Sequence, residues 1–367
     1  MSGKAVRVAL VLATSTGGVG THVVSLTTGL VAAGHDVTVC GPAETQRRFD
    51  FTGAGARFAP VEIPAGPDPV RDTTAVTRLR RVLRALRPDV VHAHGLRAGL
   101  VSGLARPGGV PLVVTWHNLM LAQGLKRRVY AALERLVART ADVTLCASED
   151  LIGRVLRLGG TDVRLGAVAA PVLAAPTRTA AEVRDELEAG QRPLLLSVAR
   201  LNPQKSLDVL IGAAARWRHR EPAPLVLVAG SGPSESQLRE LIDQTAAPVR
   251  LLGHRTDVAD LLHACDLAVV TSQWEARQLF AQEALTAGRP LVATAVGGIP
   301  GLVGDAAVLV PAGDVDALDT AVGKLLDNPD SRADLAVRAR ARAAEWPSEA
   351  DTVEQVEAVY RELTGVA

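Results

Sequence analysis

Aromatic side chains are scarce in this chain of 367 residues: four Trp, two Tyr and four Phe, or 3%. Proteins that stack successive bases need many more such platforms, which argues against single-strand nucleic-acid binding. Net charge points the same way. Forty Lys and Arg against 39 Asp and Glu leave +1, so no global field recruits a polyanion. Cysteine is also sparse. Cys40, Cys146 and Cys265 lie far apart, each beside an apolar run, and form neither a zinc pattern nor a disulfide framework. They read as reduced core thiols. No stretch reaches the roughly 18 consecutive apolar residues of a membrane span. The start, with Lys4 and Arg7 before an apolar run, imitates a signal peptide, but a glycine loop cuts that run short. A soluble, cytoplasmic protein is expected. Short-period repeats and low-complexity segments are missing too. Lysine occurs only as Lys4, Lys126, Lys205 and Lys324, so a lysine at a motif position stands out.

What is present is alternation. The unbroken apolar run VRVALVLA predicts a strand buried on both faces, followed by a glycine loop and a helix over about residues 20–33 that ends at Gly34. DVTVCG, DVVHAH, PLVVTW and DVTLCAS repeat the scheme. Residues 171–193 carry three prolines and no strand-like run, and read as a connection with a short helix. Alternation then restarts with PLLLSVA, PLVLVAG, VRLLG, DLAVVTS, PLVATA and AAVLVP. Two doubly wound α/β domains are expected, with ligand in the cleft where strand C-termini face each other. The first covers residues 1–172 and the second 190–347; a last helix follows, capped at or next to Ser348.

Several loops carry candidate chemistry. Gly17, Gly18 and Gly20 lie between the first strand and helix, where a helix N-terminus favours an anion; they also fit a plain tight turn. The dinucleotide fingerprint is incomplete, because its third glycine and the acidic end of the second strand are both missing. Arg200 and Lys205, five residues apart on one loop, could converge on a diphosphate or be two solvated cations. Gly230 and Gly232 repeat a strand–glycine–helix pattern that a simple turn explains equally well. His117 stands at a strand end, where a structural hydrogen-bonding role competes with a catalytic one. His92 and His94 lack the carboxylate partner a metal site would want. Asp314 and Asp316 read as the first turn of a helix rather than as cation ligands.

Glu275 and Glu283 are eight positions apart. Within one continuous helix their separation would be about 12 Å, too far for a close carboxylate pair. If Glu275 ends a loop and Glu283 lies one turn into the helix, each can accept hydroxyls from a different part of one elongated ligand.

In this order, Gly-Gly-x-Gly-x-His, VHAHG, TWHN, the Arg200/Lys205 loop, GSGP, Glu-x7-Glu and PLVATAVGGIP resemble family 4 glycosyltransferases. The resemblance runs from residue 6 to about 363. It implies the GT-B fold, two Rossmann-like domains facing across a cleft, and retaining, metal-independent transfer from a nucleoside-diphosphate sugar to a hydroxyl acceptor. No bound cofactor is implied, only the nucleotide-sugar co-substrate. Arg200 and Lys205 would grip the diphosphate, Glu275 the transferred sugar and Glu283 the ribose. His117 would lie near the anomeric carbon, with His94 and Arg97 on the acceptor side. Gly18, Gly230, Gly232, His254, Arg255, Ala276, Arg277, Gln278 and Leu279 complete the donor contacts. The last helix, residues 348–367, would cross back to the first domain.

Two motifs depart from the family. Glu275-Ala276-Arg277-Gln278 replaces EGFG, and Gly298-Ile299-Pro300-Gly301 replaces GGxPE. Ala276 and Gln278 keep backbone amides but resist positive φ. Arg277 replaces an aromatic; beside the sugar it would favour an acidic donor or acceptor, and turned outward it would do nothing. Residues 75–88 form a helix with Val76, Leu79, Leu83 and Leu86 on one face and five arginines on the others. This suggests contact with an anionic inner-membrane surface and a lipid-linked or cell-envelope glycan acceptor; a surface helix packed on the sheet is the competing reading. Other function classes consistent with the sequence are a nucleotide-sugar epimerase and a catalytically silent nucleotide-sugar-binding protein.

Overall fold

The computed structural model describes residues 5–66, 68–119, 124–166, 168–169 and 173–365; Lys4 and Pro171 lie outside them, as does the side chain of Lys126. The chain divides into two units, Met1–Pro171 with Pro347–Ala367, and Val172–Trp346.

Seven parallel strands build the first unit: β1 (Arg7–Leu12), β2 (Asp36–Gly41), β3 (Arg57–Pro60), β4 (Val90–His94), β5 (Leu112–Trp116), β6 (Val143–Cys146) and β7 (Val163–Leu165), in the order β3-β2-β1-β4-β5-β6-β7. The second unit holds six: β8 (Leu194–Val198), β9 (Leu225–Ala229), β10 (Val249–Gly253), β11 (Leu267–Val270), β12 (Leu291–Thr294) and β13 (Val308–Val310), in the order β10-β9-β8-β11-β12-β13. Every residue of β4, β5 and β9 is buried, because helices cover both faces of each sheet. The strand order reverses between β1 and β4 and again between β8 and β11. Open parallel sheets form their ligand crevices at such switch points, outside the strand C-termini.

The segment read as an interdomain connection belongs to the second unit. Its helix Ala180–Glu186 starts with a capping box of Thr179 and Glu182 and buries Val183 in that unit's core, where Leu187 follows. Asp260 accepts the Thr177 and Arg178 amides at 2.6 and 3.2 Å, fastening the stretch before it.

The final helix, Glu349–Thr364, is capped by Ser348, whose hydroxyl accepts the Asp351 amide at 3.1 Å. Val356, Val359 and Tyr360 pack into the first unit's core with Leu10 and Leu26. Polar ties reinforce the docking: His35 Nε2 lies 2.7 Å from Glu357, and Tyr360 Oη 2.7 Å from His92 Nδ1. Gly29 permits the helices to approach, since a Cβ there would come within 2.3 Å of Val353.

The arginine-rich helix spans Pro69–Leu86. Leu79 and Leu83 are both 0% exposed, so its apolar face is spent inside the first unit. This removes the amphipathic argument for a membrane surface: an interfacial helix needs that face free. Among the described residues, no helix is long and apolar enough to cross a membrane. All three cysteines are buried and unpaired, and burial pushes each thiol up to about 12, leaving them inert.

Candidate active site

At the second unit's switch point, β8 runs into the loop that carries Arg200 and Lys205. The loop is stitched to its neighbour after β11: Gln204 Nε2 donates to the Trp274 carbonyl at 2.9 Å, the Gln273 amide to the Gln204 carbonyl at 2.8 Å, and Thr271 Oγ1 to the Lys205 carbonyl at 2.9 Å. Ser206 takes a left-handed φ of 44°, a strained choice for a residue other than glycine, and starts the helix Leu207–Trp217. Lys205 Nζ thereby reaches Glu275 Oε1 at 2.5 Å, with both side chains mostly buried. The Arg200 side chain is exposed on the same loop. One cation, Lys205, and one carboxylate, Glu275, thus meet beyond a strand C-terminus, on the loop that also bears Arg200.

Glu275 does lie in a loop and Glu283 in a helix, Leu279–Thr286. Gln278 caps that helix, its side-chain oxygen accepting the Ala281 amide at 2.5 Å; its φ of −75° needs no glycine. Ala276 is likewise absent from the positive-φ residues, so the altered motif folds without the backbone strain its sequence suggested. The Glu275 carbonyl accepts the Gly298 amide at 2.8 Å. Arg277 turns neither to open solvent nor toward Glu275: its Nε donates to Gln282 Oε1 at 3.1 Å, and its guanidinium lies 5.6 Å from the Trp346 ring centre.

Gly230 and Gly232 approach this chain's own backbone. A Cβ at Gly230 would meet the Ala199 carbonyl oxygen at 1.9 Å, and one at Gly232 the Leu201 carbonyl oxygen at 2.3 Å. They set the course of the Arg200 loop. His254 is exposed, while Arg255 is committed to Asp257 at 2.6 Å and Glu186 at 2.9 Å, an ion-pair network that also includes Arg178.

Burial alone raises the Glu283 carboxyl from its ordinary value near 4.5 to about 7. The folded protein therefore holds this proton more tightly than the unfolded chain does. The resulting stabilisation is complete below pH 4.5 and is lost as pH rises through 7. Glu283→Gln is expected to flatten that slope and to stabilise the ligand-free protein at pH 8 by about 1–3 kcal/mol. Urea unfolding of both proteins at pH 5 and pH 8 checks this; equal pH slopes would refute it.

In the first unit, Gly17 precedes the helix Gly18–Ala32, and both glycines are exposed. Open amides at a helix N-terminus suit an anion. Gly20 has another purpose, since a Cβ there would strike the Phe49 ring at 2.3 Å. Beneath this turn lies a histidine cluster. His92 is tied through both ring nitrogens, to Tyr360 at 2.7 Å and Thr115 at 2.6 Å. His94 stacks on His92 with centroids 4.3 Å apart, and its Nδ1 lies 3.3 Å from His117 Nε2. His22 packs edgewise on both His94 and His117. Burial pushes His22 to about 4 and His92 to about 3, and holds His94 and His117 well below the usual imidazole range. The cluster is neutral at physiological pH, so His117 can offer a hydrogen bond but not a positive charge. The sequence reading placed no role on His22; its only signal was the glycine motif that ends in it.

Arg97 is buried, paired with Asp72, and donates to the Pro64 carbonyl at 3.3 Å, tying two helices and a loop together, while its Nη1 has no partner among the described residues. Asp314 caps the helix Val315–Asp327 by accepting the Ala317 amide at 2.9 Å, and Asp316 pairs with Arg216 at 2.6 Å. Among the described residues, His22, His94 and His117 form the one group whose ligand atoms come close enough, within 4.8 Å, to hold a metal ion. Three imidazoles without a carboxylate suit a zinc-type cation; magnesium and manganese on a diphosphate prefer oxygen ligands.

The second unit's switch point carries the Lys205–Glu275 contact, and the first unit's carries an exposed helix N-terminus and a buried histidine cluster. Comparison with known proteins gives the class. Residues 17–171 match the glycosyl transferase 4-like domain and residues 179–342 the glycosyl transferases group 1. The chain is 32% identical over 377 residues to a glycogen synthase of Mycobacterium tuberculosis, covering 89% of this chain and 86% of that one. It is 34% identical over 334 residues to a D-inositol 3-phosphate glycosyltransferase of Salinispora tropica, covering 79% and 67%. In fold it resembles Anabaena Alr3699/HepE in complex with UDP, at a TM-score of 0.82 and 18% identity over 97% and 100% of the two chains. The chain belongs to the family 4 glycosyltransferases of the GT-B fold, and it is a glycosyltransferase.

Proposed function

We propose that the enzyme transfers a hexose from a nucleoside-diphosphate sugar, with uridine diphosphate as the first carrier to test, to a hydroxyl acceptor with retention of configuration and without a metal ion. The observation that carries this reading is the Lys205–Glu275 contact at 2.5 Å on the loop that also bears Arg200. A cation held on this loop supports the reading because it would offset the charge that develops on a departing diphosphate. The uridine choice draws on the structural relatives, which include HepE in complex with UDP-glucose.

In this reading, the bond from the anomeric carbon to the diphosphate breaks and the acceptor oxygen bonds to the same face. The acceptor's proton passes to the departing diphosphate oxygen. Arg200 and Lys205 offset the charge that develops there. Glu275, held by Lys205, is a weak nucleophile and a good acceptor for sugar hydroxyls. His117, neutral, offers a hydrogen bond. Glu283 accepts ribose hydroxyls best when ionised, so donor binding at pH 7 should release protons. NMR of the product made from UDP-glucose tests retention; an inverted anomeric centre would overturn it. An epimerase would instead release free nucleotide without an acceptor.

Activity should survive chelation, because Asp314 and Asp316 serve a helix end and Arg216. The expected result with millimolar EDTA is a rate within about twofold of the untreated enzyme; loss of activity that magnesium or manganese restores would contradict the metal-free reading.

A further inference from the structure

Two buried donors without an acceptor stand together in the second unit: Arg277 Nη2 and Gln282 Nε2. Gln282 is 1% exposed. Its oxygen already accepts the Arg277 Nε–H at 3.1 Å, which fixes the amide so that its NH2 group is the end left over. No carboxylate among the described residues forms an ion pair with Arg277. The charge that acts on it is another cation, Arg342, whose own donors are taken by Glu345 at 2.7 Å and by the Gly301 and Leu302 carbonyls at 2.7 and 3.0 Å. Trp346 closes one side with its ring. Gly301, whose carbonyl Arg342 occupies, has no side chain to supply an acceptor. Burial and Arg342 bring the guanidinium down to about 10, still above physiological pH, so the cation persists.

Buried donors are rarely left unmet in folded proteins, and a buried cation beside a second cation is costlier still. The geometry points to an oxyanion subsite formed by Arg277 and Gln282, taking one carboxylate or phosphate group. A guanidinium Nη and an amide NH2 supply directed donors, and the charge strengthens the contact. Arg277 lies two positions after Glu275 and directly before the capping Gln278, so an anion bound there acts on the loop assigned to the donor sugar. The inference rests on that assignment for its consequence but not for the binding itself. The oxyanion can belong to an acidic sugar on the donor or be free in solution.

The full-length protein and Arg277→Met are titrated by calorimetry with inorganic phosphate, UDP-glucose and UDP-glucuronate. The expected result is at least a tenfold loss in Arg277→Met, either of the preference for UDP-glucuronate over UDP-glucose or of phosphate affinity. The first outcome assigns the subsite to a sugar carboxylate, the second to a free oxyanion. Identical preference and identical phosphate affinity in both proteins overturn the proposal and leave the two donors to water. If Arg277→Met does not fold by circular dichroism, Gln282→Leu carries the same comparison. Failure of wild type to bind either UDP-sugar would sink the uridine choice, while the phosphate titration would still decide the oxyanion site.

Discussion

Lys205→Ala is expected to lower kcat/KM by roughly 10²–10³-fold while leaving the fold intact. Lys205 is held only 2.5 Å from Glu275 by a loop whose backbone is bonded to residues 271–274. Removing the ammonium would take away the charge proposed to act on the leaving diphosphate, and it leaves Glu275 mostly buried without its cation. A charge-assisted contact is worth about 1.5–3 kcal/mol, and the second effect adds to it. Because the two side chains act as a pair, Lys205→Ala and Glu275→Gln should be non-additive in a double-mutant cycle. Steady-state kinetics of the four proteins measures the coupling. Fully additive losses would show that the contact has no part in catalysis.

Gly297→Ala should be as damaging, through the backbone. Gly297 has φ of +53°, and a Cβ there would lie 2.0 Å from the Glu275 carbonyl oxygen and 2.8 Å from Trp274 Nε1. Left-handed backbone alone costs a non-glycine residue roughly 1 kcal/mol; the clash must be relieved by moving the segment that presents Glu275. A total loss of about 2–4 kcal/mol is expected, with turnover falling together with stability. Gly301→Ala is the matched control, because its Cβ meets nothing within 4 Å and its place is inside a helix. It should stay within about 0.5 kcal/mol of wild type. Chemical denaturation of both variants settles the comparison; a stable, active Gly297→Ala would refute the close-approach argument.

Long buried strands were readable as unbroken apolar runs, since a strand covered on both faces needs no alternation. The second sheet's edge strands, β10 and β13, were readable as well, but the first sheet's were not: β3 and β7 are short, partly exposed and carry no unbroken apolar run. The proline-rich stretch from 173 onward misled for a related reason: Val183 and Leu187 anchor it in the core, and two buried side chains are a weak signal among prolines and charges. At the candidate site, residue type and spacing singled out Arg200, Lys205, Glu275 and Glu283, and the structure brings Lys205 onto Glu275 and puts Glu283 in the helix that follows. Orientation was out of reach. Arg97 pairs with Asp72, and Arg277 donates to Gln282 and lies against Trp346, contacts that no local pattern announces. Partner choice of that kind depends on residues distant in sequence. The same holds for the histidine cluster, assembled from three separate segments around His22, His94 and His117.

The most direct test is ligand-dependent thermal stability of wild type, Arg200→Ala and Lys205→Ala with UDP-, GDP- and ADP-glucose. A donor present at 100 times its dissociation constant should add about 2.7 kcal/mol to the wild-type protein. One nucleotide series should give this stabilisation, and both variants should need at least tenfold more ligand to match it. Equal stabilisation of all three proteins by the same donor concentration would contradict the claim that Arg200 and Lys205 hold the diphosphate.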